Sequence, residues 1–458
     1  MTPYYSREEN TLINVLSQKL PVPVLLRGVL ERCFTPERVD RLFERHAQSQ
    51  YTQQLLFSTV CELLLHVVLR VKPSLYAAYR EKEAALEVSA AALYDKAKGV
   101  ELGVSAALVR ETAQDLAAIV DALGTRREEW LPGYRVRVLD GNCLEGSEKR
   151  LAVQRGQSGA ALPGKALVVM DAERGLLIDV FPCEDAYAQE RSLLDRVLPT
   201  VQAGDCWVAD RNFCVSGFLQ GIEARGAYFL FRLHAGLPFR EAGDWSEAVM
   251  TAEGQRISEQ PVVVDGRRYR RIRVELASPT RDGDWAIDLL SNLPDTVSAL
   301  DLAALYRRRW RLETAFQKLE AHLESEINTL AYPKAALLGF CLALVAYNAF
   351  EVLLAAIDAA QDEPVSPTLS TYYLAHQIAA TFLALLTLTE SEDWHFIGTL
   401  SPAEFAQWLR DTAAHINIRQ YRKTPRGPKK PPPKKSYDAK QPHFSTQRLL
   451  QGKTKGTP

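Results

Sequence analysis

Tyr306-Arg-Arg-Arg-Trp-Arg-Leu-Glu313 brings a phenol, several guanidiniums and a carboxylate into one short segment, and two further carboxylates, Asp140 and Asp210, each close an apolar run. The separations, 70 residues from Asp140 to Asp210 and 103 from Asp210 to Glu313, exclude a local motif. Only a folded sheet and a helix can bring the three together. Oxygen-only ligands favour Mg²⁺, with Mn²⁺ as the alternative. Two such ions about 4 Å apart can activate a water and stabilise the leaving oxygen of a phosphodiester.

On a continuous helix, positions 306, 309, 313, 317 and 320 advance by three or four and form one stripe, which sets Tyr306 and Arg309 beside Glu313. A guanidinium grips phosphate oxygens in forked geometry, and a tyrosine donates to phosphate or stacks on a base. The plain alternative is a solvated, charged helix face. Asp140 is followed by Gly-Asn-Cys and Asp210 by Arg-Asn-Phe. A carboxylate ending an apolar strand is costly to bury without a partner, and a bound cation removes that cost; an aspartate capping the next turn is the other reading. Asp171, Asp179 and Glu145 are weaker candidates, because turn and edge positions explain them.

The elements that must position these groups begin after Pro132-Gly133. Tyr134 to Leu139 reads as a strand ending in Asp140, and Ala166–Met170 and Leu176–Phe181 flank a hairpin turn at 171–175. Helical spacing follows over Tyr187–Leu198, a short strand over Cys206–Ala209, a helix over Val215–Ala224 and a strand over Tyr228–Phe231. The order β-β-β-α-β-α-β is that of an α/β, ribonuclease-H-like core, in which the first and fourth strands lie side by side. The expected organisation is a helical domain over 1–130, core over 131–233, an inserted β subdomain over 234–297 and core again over 298–360. A helical C-terminal region over 361–418 and a basic tail without fixed structure over 419–458 complete it. Asp265-Gly266 marks a hairpin in the insertion, and Pro333 marks a break in the helical stretch from about Ser298 to Ala359. Residues 85–110 fit either a helix-turn-helix DNA reader or a plain packing unit.

Composition narrows the class. At 458 residues and 47% hydrophobic, the chain is long enough for two or three cores. Its formal charge of -1 hides an asymmetry, since residues 419–458 hold twelve Lys or Arg and a single acid, Asp438. That basic end suits nucleic-acid phosphates. Seven scattered cysteines without Cys-x-x-Cys spacing argue against disulfides and structural zinc and fit a reducing cytoplasm. No export signal is visible. Ala335–Phe350 lacks formal charge but is short of the ~20 residues of a membrane span, and reads better as a buried helix. No membrane association is expected. The five arginines 267, 268, 270, 271 and 273 on the Asp-Gly hairpin form a candidate phosphate-binding ribbon, with Arg270 and Arg271 foremost; strand alternation makes ion pairing the alternative for some of them.

Taken together, Asp140, Asp210-Arg211, Tyr306, Arg309 and Glu313 resemble the DDE transposases of bacterial insertion sequences. The likeness is to the insertion-sequence-four type, whose third carboxylate lies in a Tyr-x2-Arg-x3-Glu-x6-Lys signature. It covers roughly residues 130–350, including the β insertion ahead of the glutamate helix. The signature's lysine position holds Glu320, and the nearest lysine is Lys318. The resemblance implies that Asp140, Asp210 and Glu313 are catalytic and metal-binding, using two Mg²⁺ ions. It implies a homodimer that binds inverted repeats in double-stranded DNA, hydrolyses a strand and joins the 3′ hydroxyl to target DNA. Arg211, Tyr306, Arg309, Arg270, Arg271 and Lys318 are the DNA-contact candidates. The family passes through a hairpin with a base flipped onto an aromatic of the insertion; Trp245 and Trp285 are placed for such stacking, or simply pack the insertion. The rivals are a non-catalytic DNA-binding protein descended from a transposase and a metal-dependent nuclease on the same fold.

Overall fold

The computed structural model describes residues 11–49, 54–125, 129–280, 283–424 and 443–452. The helices of its first part are α1 (Thr11–Lys19), α2 (Pro21–Cys33), α3 (Pro36–His46), α4 (Phe57–Val68), α5 (Leu75–Leu86), α6 (Ala90–Gly99) and α7 (Leu102–Leu123). Their ends follow the local chemistry. Thr35 caps α3 ahead of a proline, Ser74 and Ser89 cap α5 and α6, and Gly124 closes α7 with φ 64°.

The central part contains β1 (Arg135–Cys143), β2 (Ala161–Leu162), β3 (Lys165–Asp171), β4 (Leu176–Cys183), α8 (Leu194–Val197), β5 (Asp205–Ala209), α9 (Ser216–Glu223) and β6 (Tyr228–Arg232). The insertion adds β7 (Arg240–Glu241), β8 (Val249–Met250), β9 (Arg256–Val264), β10 (Arg267–Glu275) and β11 (Ala286–Ser291). The spatial order is β4-β3-β1-β5-β6-β11-β10-β9-β7, with β8 on β9, a sheet of ten strands. β1 runs parallel to β5 and antiparallel to β3. This mixed sheet with helices has the strand order expected of a ribonuclease-H-like core. The insertion does not build a sheet of its own: β11 pairs with β6, Leu290 opposite Phe231, and so prolongs the central one. Asp265 and Gly266 both take positive φ, 45° and 79°, and turn β9 into β10 with Val264 opposite Arg267.

The last part comprises α10 (Ala299–Arg307), α11 (Trp310–His322), α12 (Pro333–Ala359), α13 (Thr371–Leu388), α14 (His395–Thr399), α15 (Pro402–Ala413), β12 (Phe444–Ser445) and α16 (Thr446–Leu450). The stretch expected to break only at Pro333 breaks a second time, between α10 and α11. There Arg308 N donates to Leu305 O at 3.0 Å and Arg309 N to Tyr306 O at 3.1 Å, tight turns in place of the helical ladder.

One large core joins both ends of the chain to one face of the sheet. It holds Val22 and Phe57 near the start, Val136 and Val138 of β1, and Phe405 near the end. Leu139 and Ala209 face a smaller core on the other side with Phe218 and Phe229. The helical 1–130 region therefore shares its interior with the rest. α7 packs on α12 and β4 and buries Val104, Leu108, Thr112 and Leu116. The second helix of the 85–110 stretch is enclosed over residues 104–109, so that part of it offers no face to a DNA groove. α12 and α13 are both long and apolar enough to cross a membrane; α12 is wholly enclosed by protein, and α13 sets Leu374, Ile378, Phe382 and Leu385 inward.

The basic end departs from expectation where it is described. β12 pairs with β2, Phe444 opposite Ala161, and Phe444, Ser445 and Thr446 are buried. Arg448 Nε holds both oxygens of Asp185, at 3.1 and 3.0 Å. Most of the Lys-Pro run, 425–442, lies outside the described residues.

Candidate active site at the ends of β1 and β5

The parallel register of β1 and β5 sets Leu139 opposite Ala209, so the next residues, Asp140 and Asp210, lie abreast. β1 continues to Cys143, and Asp140 Oδ1 accepts from Gly141 N at 2.9 Å. Glu313 stands in the first turn of α11. The break ahead of α11 turns Arg309 inward: Nη1 donates to Asp140 Oδ2 and Nη2 to Glu313 Oε1, each at 2.7 Å. Arg309 is only 7% exposed, and its Nε has no hydrogen-bond partner. Tyr306 is buried beneath it, with the guanidinium carbon 5.8 Å from the ring centre. The stripe expected of one helix is therefore delivered by two, with Arg309 at the joint.

Burial pushes the Asp140 carboxyl up to about 6, and the neighbouring Glu313 and Asp210 push the same way against Arg309 and the Gly141 amide. Burial also raises the Tyr306 phenol, and Asp210 adds to it. Asp140 thus sits close enough to both Glu313 and Asp210 to feel their charge. One guanidinium is shared by two of the carboxylates, Asp140 and Glu313. Among the described residues no three His, Cys, Asp or Glu side chains close round a metal ion as they stand, because Arg309 lies between Asp140 and Glu313. The donor set nevertheless fits a hard divalent cation, because its ligands are carboxylate oxygens.

The remaining candidates divide. Arg211 is exposed just beyond Asp210. Lys318 is turned away from the site, with Nζ 3.1 Å from Glu351 Oε1 on α12. Arg270 is 12% and Arg271 11% exposed at the side chain. Arg270 Nε donates to Glu259 at 3.1 Å and its Nη1 to the carbonyls of Pro294 and Val297, both at 2.8 Å. Arg271 and Arg273 both hold Asp288, at 3.0 and 2.8 Å through Nε. The ribbon is thus an internal ion-pair network at these positions, because alternation turns them towards acids on β9 and β11. Trp245 lies beneath Arg271 and Arg273, 5.0 and 4.8 Å from ring centre to guanidinium carbon, whereas Trp285 is 63% exposed.

Three residues beside the site were not foreseen. Trp310 follows Arg309 and is 60% exposed; its place in the Tyr306–Glu313 segment was the available signal. Asn142, two residues past Asp140, shares its strand face, and its Nδ2 lies 3.4 Å from Glu326 Oε1. Glu326 also accepts from Glu145 N. Burial pushes its carboxyl up to about 6, with Glu145 and Glu320 adding. Nothing in the sequence near Glu326 pointed to it.

Residues 131–349 match the family model described as the transposase DDE domain. That span contains Asp140, Asp210, Tyr306, Arg309 and Glu313. No curated protein matches the chain in sequence. Among solved structures, a cryo-EM structure of the piggyBac transposase synaptic complex with hairpin DNA matches with 12% identity and a TM-score of 0.38. The match covers 88% of this chain and 86% of that one, and a similarity so slight carries no statement about this chain.

Proposed function

We propose, taking as premise the DDE transposase that residues 131–349 support, that the protein binds the inverted-repeat ends of a DNA element, cleaves there and joins the ends to new DNA. DDE transposases use divalent metal ions. In this reading Asp140, Asp210 and Glu313 hold two Mg²⁺ ions, which supply an activated water and charge neutralisation at the phosphodiester. The observation that carries it is the pair of 2.7 Å contacts from Arg309 to Asp140 and Glu313, joining β1 to the first turn of α11 across 169 residues of sequence. A guanidinium held between two carboxylates marks where positive charge is wanted.

The protein's own groups then divide the work. The carboxylates are held by β1, β5 and α11, so their spacing is set before DNA arrives. Arg309, freed from them, turns its fork to the non-bridging oxygens of the scissile phosphate, and buried Tyr306 packs against it and limits where it can go. Asp140 must be ionised to serve, which follows above pH about 6. Exposed Trp285 is the better base-stacking candidate, since Trp245 already lies against two arginines. Two copies acting on paired ends complete the proposal.

The test is to incubate the purified protein with DNA carrying the element's ends, a target plasmid and Mg²⁺. Excised and joined products are expected, absent without metal and absent with Asp140→Ala. Binding without any strand cleavage would favour the non-catalytic rival, and cleavage without joining the nuclease.

A further inference from the structure

Where α4 ends, the chain needs a residue in the left-handed region, a place glycine usually takes. Here it is Arg70, at φ 57°. The turn is closed by Val71 N and Lys72 N, which donate to His66 O at 2.9 and 3.0 Å, and glycine would adopt it more readily. The arginine side chain accounts for the residue type. Its Nη1 donates to Ala321 O at 3.1 Å, and its Nη2 to Glu320 O at 3.0 Å and Leu323 O at 3.1 Å. Nε lies 3.4 Å from Glu324 Oε2. In return, Glu324 N donates to Val68 O at 2.8 Å. The C-terminal ends of α4 and α11 therefore meet, each bearing partial negative charge and carbonyls left over by the helix, and one guanidinium answers both needs.

α11 carries Glu313 in its first turn. That end is tied to β1 through Arg309, the very contact that gives way when the carboxylates turn to metal and Arg309 to phosphate. Arg70 holds the opposite end, about 12 Å further along the axis, by bonds that no step of the reaction disturbs. We infer that Arg70 is a positioning residue for Glu313, keeping α11 in register on β1 while its other end is released. The inference deepens the transposase reading and rests on it.

Arg70→Gly separates the side chain from the backbone, since glycine suits the turn. Arg70→Lys keeps a charge but not the fork. Mn²⁺ affinity is measured on the DNA-free protein by the free-ion paramagnetic resonance signal, beside single-turnover cleavage against Mn²⁺ concentration, affinity for end DNA, and melting temperature. For Arg70→Gly, cleavage at saturating DNA should fall about ten- to a hundredfold and Mn²⁺ affinity several-fold, with DNA affinity changed by no more than about twofold. Arg70→Lys should lie between it and the wild type, and both variants should melt close to the wild type. Wild-type cleavage and Mn²⁺ dependence in Arg70→Gly would overturn the inference, as would losses that merely track a lowered melting temperature and weaker DNA binding. A wild type that binds Mn²⁺ but cuts nothing would sink the transposase reading, while the Mn²⁺ affinity of Arg70→Gly would still judge the positioning role. A wild type that binds no Mn²⁺ would sink both.

Discussion

Two clusters of arginine and acid lie on the same sheet and differ in how their charges are paired. On β10 four of the five guanidiniums have found a carboxylate, and Arg268 stands exposed. Arg267 pairs with Glu223, Arg270 with Glu259, and Arg271 and Arg273 with Asp288. Beside β1, Arg309 is shared between Asp140 and Glu313, and Asp210 lies close enough to disturb the first of them. A carboxylate held by two guanidiniums needs no ligand, whereas two carboxylates that share one guanidinium leave room for a cation. The number of arginines in a segment is thus a poor guide to phosphate binding; how they are paired is the better one.

The contrast can be broken most severely at the carboxylates. Asp140→Ala, Asp210→Ala and Glu313→Ala should each lower strand cleavage by roughly three orders of magnitude or more, the scale lost when one member of an interdependent set goes, with DNA-end binding kept in a filter or gel-shift assay. Loss of binding in all three would mean a folding role. Next comes Arg309→Gln, which leaves two carboxylates without their shared guanidinium. Metal-free stability should drop by about 3 kcal/mol in urea unfolding, and Mn²⁺ should restore much of it. An unchanged midpoint without metal would show that no positive charge is wanted there.

A pH titration separates the clusters without mutation. Asp140 and Glu326 are both pushed up to about 6 from ordinary values of 3.8 and 4.5, so between those values the folded state binds more protons than the unfolded one. Each group should therefore add about 2 kcal/mol or slightly less of metal-free stability as pH falls from 7 to 4.5, and Mn²⁺ affinity should weaken over the same range. Asp288 behaves oppositely: burial pushes its carboxyl up, but its bonds to Arg273 and Arg271 outweigh that and hold it below the usual value. Its contribution is present above pH 4 and lost below. Thermal melts that show only acid loss, beginning at pH 6, would contradict the first half.

Smaller effects sharpen the picture. Glu320→Lys should strengthen binding to end DNA by about 1 kcal/mol or less, and the new ammonium should draw the Glu326 carboxyl down. Weaker binding would mean that Glu320 makes a needed contact. Arg271→Ala should leave the slope of log affinity against log salt unchanged, because its guanidinium is already paired, whereas exposed Arg268→Ala should reduce the slope by about 1 or less. A reduced slope for Arg271→Ala would return the internal network to the DNA interface.

Much of the core was legible because its signals are local. Asp140 and Asp210 each follow a short apolar run, although β1 goes on past Asp140 to Cys143, and Asp265-Gly266 is a hairpin turn readable from two letters. What escaped depends on partners far off in sequence. No glycine or proline announces the break at Arg308–Arg309, since tight turns through arginine arise from the pull of Asp140 and from packing. Strand alternation showed that the arginines of β10 split between faces, but not that Glu259 and Asp288 awaited them. The fate of α7 was equally hidden, because an apolar helix face is the same letters whether it meets DNA-binding helices or α12.

The return of the chain's end to β2 alters how its basic character should be tested. Both flanks of the lysine-rich segment are anchored: Lys423 N donates to Thr368 O at 2.9 Å and Phe444 N to Ala160 O at 3.1 Å. Cutting the chain at Arg419 would therefore do more than remove charge. It would strip β2 of its neighbour and leave Gln154 Nε2 without Thr446 Oγ1, now 3.1 Å away. A truncated protein that bound DNA poorly would be ambiguous between a lost polycation and a loosened core. Replacing the lysines by glutamines in an uncut chain keeps the anchor and changes the charge alone.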